Sequence, residues 1–211
     1  MTRRASNVPK SVKSFGDYFD TSADVATILR ELGYTAATAS LSPPRFEGDL
    51  SFLVELERSL LASIPFITLT SEAARREFLV APLLREIAVR FRVMVNVEYA
   101  LDVSPTLRGK IDYLLDSGTG DLVIIEAKLG DMYGGQKQLA AELVAMDQWM
   151  VSESPLRYGA VTVGDVWRFA VLDRVAKTVT QDVSLFKIPG DLEDLTRVIV
   201  GVLRGADGQR E

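Results

Sequence analysis

Two carboxylates and a lysine are predicted to meet on one β-hairpin within residues 108–128. The apolar run 122–125 predicts a strand that is buried on both faces. It leads into Glu126 and Lys128, whose side chains share one face because they lie two residues apart on a strand. On the preceding strand, Asp112 interrupts an apolar pattern. Buried charges are costly unless they are paired or bind a ligand, so this convergence indicates a functional site.

Oxygen ligands from adjacent strands predict a site for Mg²⁺, for which Mn²⁺ is the expected substitute. Asp112 and Glu126 would supply carboxylate oxygens, and the backbone carbonyl of Ala127 would add another. Lys128 would orient a nucleophilic water or stabilise charge that develops on a phosphate. A lysine beside a bound cation is also pushed toward its neutral form, which makes it a better base. The chemistry that these residues indicate is hydrolysis of a phosphodiester bond.

The site depends on the register of the hairpin. A five-residue turn, 117–121, closed by Asp116 and Leu122, would put Asp112 opposite Glu126. A four-residue turn would send the two carboxylates to opposite faces of the sheet. We predict the five-residue turn.

A cross-strand cluster of salt bridges is the alternative interpretation of the same residues. It would pair Asp112 with Lys128, and Glu126 with Lys110 or Arg108, as is common on exposed strands. The apolar run before Glu126 favours a central strand, and therefore favours the metal site.

A helix over residues 71–90 is predicted to lie beside the hairpin, with a bend near Phe78 because Pro82 removes a backbone hydrogen bond. At about 100° per residue, Glu72 falls on the same stripe as Leu83, which should face the sheet. Glu72 could then hold a second metal or a metal-bound water. Its alternative role is that of a favourable carboxylate at a helix N-terminus.

A further helix after the hairpin carries Gln138 and Glu142 one turn apart. Taken alone, this pair predicts a solvated helix face.

The other elements follow from capping residues and periodicity. Helices are predicted at 21–34, 50–63 and 191–203, a strand at 91–99, a loop at 35–48, and a hairpin at 158–172 that turns at Gly164–Asp165. Residues 1–14 are predicted to form a mobile arm.

Composition excludes several classes of function. The 211 residues include no cysteine and no histidine. Disulfides, thiolate or histidine metal sites and Ser-His-Asp catalysis are therefore excluded. The net charge of −5 gives no global attraction to nucleic acid, although a local basic face could still bind phosphates. No run is long enough to span a bilayer and no signal-peptide region follows the basic start, so we expect a cytoplasmic protein.

The ordered pattern resembles the PD-(D/E)XK nuclease superfamily, through Asp112 and the sequence 126–128, EAK. Residues 71–84, SEAARREFLVAPLL, are similar to the opening helix of nuclease domains in type I restriction enzyme motor subunits. Residues 158–169, YGAVTVGDVWRF, resemble a late hairpin of those domains. Gln138 falls where many members carry a helix glutamine that supports the active site.

The resemblance covers roughly residues 70–205 and implies an α/β fold. The implied core is restriction endonuclease-like, with a central mixed β-sheet flanked by helices. It implies the catalytic residues Glu72, Asp112, Glu126 and Lys128, with Gln138 in support. Ile111 departs from the pattern, since the superfamily name has proline there. The domain prediction is therefore an N-terminal arm and helical appendage at 1–65, a nuclease-like domain at 66–205 and a frayed tail at 206–211.

The implied activity is Mg²⁺-dependent hydrolysis of DNA, in restriction or in defence against mobile elements. A non-catalytic module that binds nucleic acid or protein on the same scaffold is the first alternative, and an RNA-directed nuclease with the same residues is the second. The basic residues nearest to the site are the predicted contacts to the nucleic-acid backbone: Arg75, Arg76, Arg108, Lys110 and Lys137. One active site cuts one strand, so we expect a homodimer for duplex cleavage, and the helices before residue 65 could dock a protein partner.

Overall fold

The computed structural model describes residues 12–118, 122–128, 130–151 and 154–204, and for 122–127 it describes the backbone only. Most of the predicted arm, residues 1–11, and the predicted tail after residue 204 lie outside this part. Seven α-helices are described: α1 (Phe15–Asp20), α2 (Val25–Glu31), α3 (Leu53–Ser63), α4 (Glu72–Arg75), α5 (Ala81–Phe91), α6 (Met132–Trp149) and α7 (Leu192–Arg204). Eight β-strands are described: β1 (Thr35–Ala39), β2 (Met94–Asp102), β3 (Arg108–Asp116), β4 (Leu122–Ala127), β5 (Leu156–Thr162), β6 (Val166–Asp173), β7 (Thr178–Asp182) and β8 (Phe186–Lys187).

The strands form one mixed sheet in the order β1-β7-β6-β5-β4-β3-β2, with β8 beside β6. The pairs β1–β7 and β4–β5 are parallel, and the other pairs are antiparallel. β4 therefore has a neighbour on each side, as its apolar sequence predicts for a central strand.

Helices cover both faces of the sheet, so the expected mixed α/β class is confirmed. On one face, α3, α5 and α7 pack against residues such as Trp167 and Phe169 of β6. On the other face, α6 lies across β4 and β5, and α1 and α2 cover α6 in turn. α6 is thus enclosed between the sheet and two shorter helices.

The N-terminal segment contributes to the sheet and to both cores, which corrects the expectation of a purely helical appendage. Thr35–Ala39, predicted as part of a loop, forms edge strand β1 beside β7. Val12, predicted to lie in the mobile arm, is buried, and Phe15 and Tyr18 of α1 are buried against α6. α2 is capped by Asp24, whose carboxylate accepts a hydrogen bond from the Thr27 N–H at 2.7 Å. α2 ends before Gly33, which takes a positive φ of 86°.

The helix over residues 72–91 is continuous, but its type changes from α to π and back to α. Residues Arg76–Val80 form a π-helical segment between α4 and α5. This segment surrounds the predicted bend near Phe78 and lies just before Pro82, which cannot donate a backbone hydrogen bond. In the described part of the chain, no helix has both the length and the apolar character needed to cross a lipid bilayer.

The segment before α3 packs closely against Gly201 of α7, so a substitution at this glycine tests that packing. A Cβ atom at Gly201 of α7 would lie 2.3 Å from the carbonyl oxygen of Pro44. We expect Gly201→Ala to lower the free energy of unfolding by about 1–3 kcal/mol, because the overpacked segment must move. Gly190→Ala is the matched control, since its nearest atom would be 3.8 Å away. Urea denaturation that found both variants equally stable would contradict this packing.

Candidate active site

The register on which the site depends is confirmed. β3 and β4 pair from Asp116 with Leu122 to Tyr113 with Ile125, which closes a five-residue turn. Continued by one residue beyond the last of these pairs, the register puts positions 112 and 126 opposite each other and on one face of the sheet. Residues 119–121 of the turn and the side chain of Glu126 lie outside the described residues.

Asp112 makes an ion pair with Arg76, from the first position of the π-helical segment. The Arg76 Nη1 atom lies 3.3 Å from Asp112 Oδ1, and the two side chains are 19% and 15% exposed. The guanidinium carbon also lies 5.2 Å from the centre of the Tyr113 ring. Burial alone lowers the pKa of Arg76, but hydrogen bonding to Tyr113 and the charge of Asp112 raise it, and the net pKa is above its ordinary value. The arginine is therefore held as a cation against Asp112.

Glu72 is the first residue of α4, and it is half-buried. Ser71 caps this helix by accepting a hydrogen bond from the Ala74 N–H at 3.1 Å. The charge of Glu72 contributes to the raised pKa of Arg76, so its carboxylate lies within electrostatic range of the same guanidinium. The structure thus brings Glu72 to the region of Asp112, as its helical phase predicts.

Lys128 follows β4 and is held by contacts from three directions. Its backbone N–H donates to the Thr162 carbonyl at 2.7 Å, and its ammonium lies 5.2 Å from the centre of the Phe19 ring. A Cβ atom at Gly135 of α6 would lie 3.3 Å from Lys128 Cγ and 2.6 Å from Val161 Cγ1. Residue 135 must therefore be glycine for α6 to approach the lysine and the sheet this closely.

Gln138 and Glu142 are buried, so the predicted solvated face of α6 is wrong. They are 4% and 0% exposed, and Gln138 Nε2 donates to Glu142 Oε1 at 3.0 Å. The physical reason is the enclosure of α6 between the sheet on one side and α1 and α2 on the other. Within the described residues, Gln138 Oε1 and Glu142 Oε2 have no hydrogen-bond partner.

Glu142 is the site residue that sequence reasoning missed. The pKa of Glu142 is raised to about 8, chiefly by burial. The hydrogen bond from Gln138 lowers this pKa, the charge of Asp112 raises it and the charge of Lys128 lowers it. The carboxyl group therefore lies within electrostatic range of both strand residues. A signal was present in the sequence, because Gly135, Gln138 and Glu142 fall on one stripe of the helix at i, i+3 and i+7.

Three of the five residues that were predicted to contact phosphate bind other groups of the protein instead. Arg75 donates to the carbonyls of Leu69 and Val163 at 2.9 and 2.8 Å, and Arg76 pairs with Asp112. Lys137 is buried, and its ammonium donates to the Thr21 carbonyl at 2.6 Å. The other two predicted contacts, Arg108 and Lys110, lie at the surface.

The alternative interpretation of cross-strand salt bridges is tested only in part, because the side chain of Glu126 lies outside the described residues. Lys110 pairs with Glu98 of β2 at 2.6 Å, and Asp112 pairs with Arg76. Glu98 has a φ of 52°, which is unusual for a residue other than glycine, and it lies across β2–β3 from Asp112.

No known protein family, curated protein or solved structure matches this chain. Among the described side chains, no group of three acidic residues could hold a metal ion, but that set does not include the side chain of Glu126. The geometry around Asp112, Lys128 and Glu142 is therefore the basis for inferring a function.

The buried carboxyl of Glu142 predicts a specific dependence of stability on pH. Its pKa rises from an ordinary 4.5 to about 8 on folding, so the folded chain binds this proton more tightly than the unfolded chain. Its contribution to stability is fully present below pH 4.5 and is lost as the pH rises through about 8. Glutamine cannot ionise, so the stability of Glu142→Gln should not fall for this reason as the pH rises. Between about pH 5 and pH 8, wild type should lose more than about 1 kcal/mol relative to Glu142→Gln in urea denaturation.

Glu55→Gln is the matched control, because it removes a carboxyl group that is 72% exposed on α3. Its stability should follow that of wild type at both pH values. A Glu142→Gln protein whose stability stayed parallel to wild type would show that this carboxyl does not titrate as its burial requires.

Proposed function

We propose that this protein is a Mg²⁺-dependent nuclease that hydrolyses phosphodiester bonds in DNA, on a restriction endonuclease-like core. The observation that carries the proposal is the β3–β4 register, which places positions 112 and 126 on one face, with Lys128 two residues further along. A carboxylate pair beside a lysine supplies ligands for a hard cation and a group for the attacking water or the phosphate.

The available donors fit Mg²⁺ because all of them are oxygen atoms. The residues that would hold the ion are Asp112, Glu126, Glu72 and Ala127, the last through its backbone carbonyl. The ion pair between Asp112 and Arg76 supports this fit, because it puts a positive charge beside one of these carboxylates. When bound, Mg²⁺ would polarise a phosphoryl oxygen and favour deprotonation of a coordinated water.

Lys128 would orient the attacking water or stabilise charge on the phosphate. Its position supports this role, because Gly135 and the Phe19 ring restrict where the side chain can go. Glu142, fixed by Gln138, lies within electrostatic range of the lysine and would act as a positioning residue rather than a ligand. A side chain restricted in this way gives the preorganisation that catalysis requires.

Cations on β3 offer a path for the nucleic-acid backbone. Arg108 and Lys110 are exposed and precede Asp112 on the same strand at intervals of two residues, or roughly 7 Å. Lys13 lines the groove that these two residues also line. A phosphate backbone that follows this groove would lead to Asp112.

A non-catalytic binding module is the second candidate, and one observation favours it. Arg76 neutralises Asp112 through their ion pair, which is an arrangement that a scaffold without catalytic activity could also keep. The two candidates predict different outcomes in a cleavage assay.

The test is cleavage of plasmid, linear duplex and single-stranded DNA, and of single-stranded RNA, with Mg²⁺ or Mn²⁺. Wild type should cut DNA, and Asp112→Asn and Lys128→Ala should each lower the rate by about 100-fold or more. The first variant loses a ligand for the metal, and the second loses a group that acts on the attacking water or the phosphate. Glu72→Gln should also lower it. Glu77→Gln is the control, since Glu77 is exposed on the same helical run as Glu72.

The outcomes separate the candidates. Cleavage that survives in both Asp112→Asn and Lys128→Ala would contradict the assigned site. Cleavage of RNA alone would replace the proposed substrate. A wild-type protein that binds DNA but cuts none of these substrates with either metal would favour the binding module.

A further inference from the structure

Arg76 is paired with Asp112, a carboxylate that would have to be accessible in order to bind a metal ion. Its guanidinium is partly buried, contacts Asp112 at 3.3 Å and lies against the Tyr113 ring. This position differs from the prediction that Arg76 reaches out to a phosphate.

Carboxylates from three separate elements act on this one cation. Asp112 of β3 lies 3.3 Å from the Arg76 guanidinium, and Glu72 of α4 lies within electrostatic range of it. The pKa of Glu98 on β2 is lowered chiefly by its hydrogen bond with Lys110, and the charge of Arg76 adds to that effect. The guanidinium thus has the kind of acidic surroundings that a divalent cation would need.

We propose that Arg76 occupies the cation position of this site, and that a divalent metal binds only after the Arg76–Asp112 ion pair opens. The inference rests on the proposed function, because it takes Asp112 as a metal ligand. A guanidinium and a divalent ion on the same carboxylate would repel each other strongly at a distance of a few ångströms. Arg76 would therefore set the metal affinity of the site.

The chain gives Arg76 room to leave. Its side chain is 19% exposed, so Arg76 is not fully enclosed by the core. It starts the π-helical segment Arg76–Val80, and single π-turns of this kind are frequent at functional sites. Opening of the ion pair then requires a change of side-chain rotamer and leaves the sheet register unchanged.

The test is calorimetric titration of the full chain with Mn²⁺. Arg76→Ala and Arg76→Gln should bind Mn²⁺ about tenfold more tightly than wild type, as expected if the pair is open about one tenth of the time. The glutamine variant keeps part of the stem over Tyr113, so a folding defect in the alanine variant would not decide the result. Arg85→Ala is the matched control for charge, because Arg85 is 72% exposed on α5. It should bind as wild type does.

Four results are distinguishable. Tighter binding in both Arg76 variants and not in Arg85→Ala supports the inference. Equal binding in wild type and the Arg76 variants overturns it and leaves the proposed metal site standing. Weaker binding in the Arg76 variants also overturns it, because Arg76 would then organise the site. Binding by none of the proteins overturns the metal site and the inference together.

A second measurement uses the wild-type protein and does not depend on activity. The Nε–Hε signal of Arg76 in a ¹⁵N correlation spectrum is assigned by its loss in Arg76→Gln. On addition of Mg²⁺ this signal should move, because the guanidinium leaves Asp112 and the Tyr113 ring. A signal that stays in place at saturating Mg²⁺ would overturn the inference.

Discussion

The antiparallel pairing of β3 with β4 determines where the groups of the candidate site lie. Each strand has a two-residue repeat, so a shift of one residue would turn Asp112 or position 126 to the opposite face of the sheet. The parallel pairing of β4 with β5 holds the second strand from its other side, and the Lys128 N–H extends this pairing to Thr162. The hairpin is thus fixed on both sides at the point where charge accumulates.

The fold places this charge between two layers of helices. On one side, α6 lies close to Lys128 because Gly135 has no side chain, and it buries Glu142 near the strand residues. From the helical run at 72–91, Arg76 reaches Asp112. Buried charges cost free energy unless partners compensate them, and such an arrangement is more typical of a functional site than of a device for stability. For Asp112, the chain itself supplies the compensating cation, Arg76.

Local features of the sequence were sufficient to predict the hairpin. The two-residue repeat is set by neighbouring residues, and the five-residue turn was the one of two turn lengths that put Asp112 and Glu126 on the same face. The helix at 72–91 and the hairpin at β5–β6 followed from capping, periodicity and turn residues in the same way. β1 was missed because Thr35–Ala39 is an exposed edge strand without alternation between apolar and polar residues.

Features that depend on distant contacts could not be predicted. The helical period of α6 identifies a stripe of residues on one side of the helix, but it does not reveal that α1 and α2 cover the opposite side. Taken alone, the pair Gln138 and Glu142 was therefore predicted to be solvated. The Arg76–Asp112 pair joins residues that are 36 positions apart. Its formation depends on how α4 is placed over the sheet, which no local pattern records. Local sequence patterns therefore predict the strands and helices, whereas tertiary packing determines which charged and polar groups of the site are buried and paired.

The central claim is that positions 112 and 126 hold a divalent metal. A crystal soaked in Mn²⁺ and measured at the manganese absorption edge tests it most directly. If the metal binds there, an anomalous peak is expected about 2.0–2.5 Å from carboxylate oxygens of both Asp112 and Glu126, with Arg76 moved away. A soaked crystal with no peak there, and with Arg76 still paired to Asp112, would contradict it.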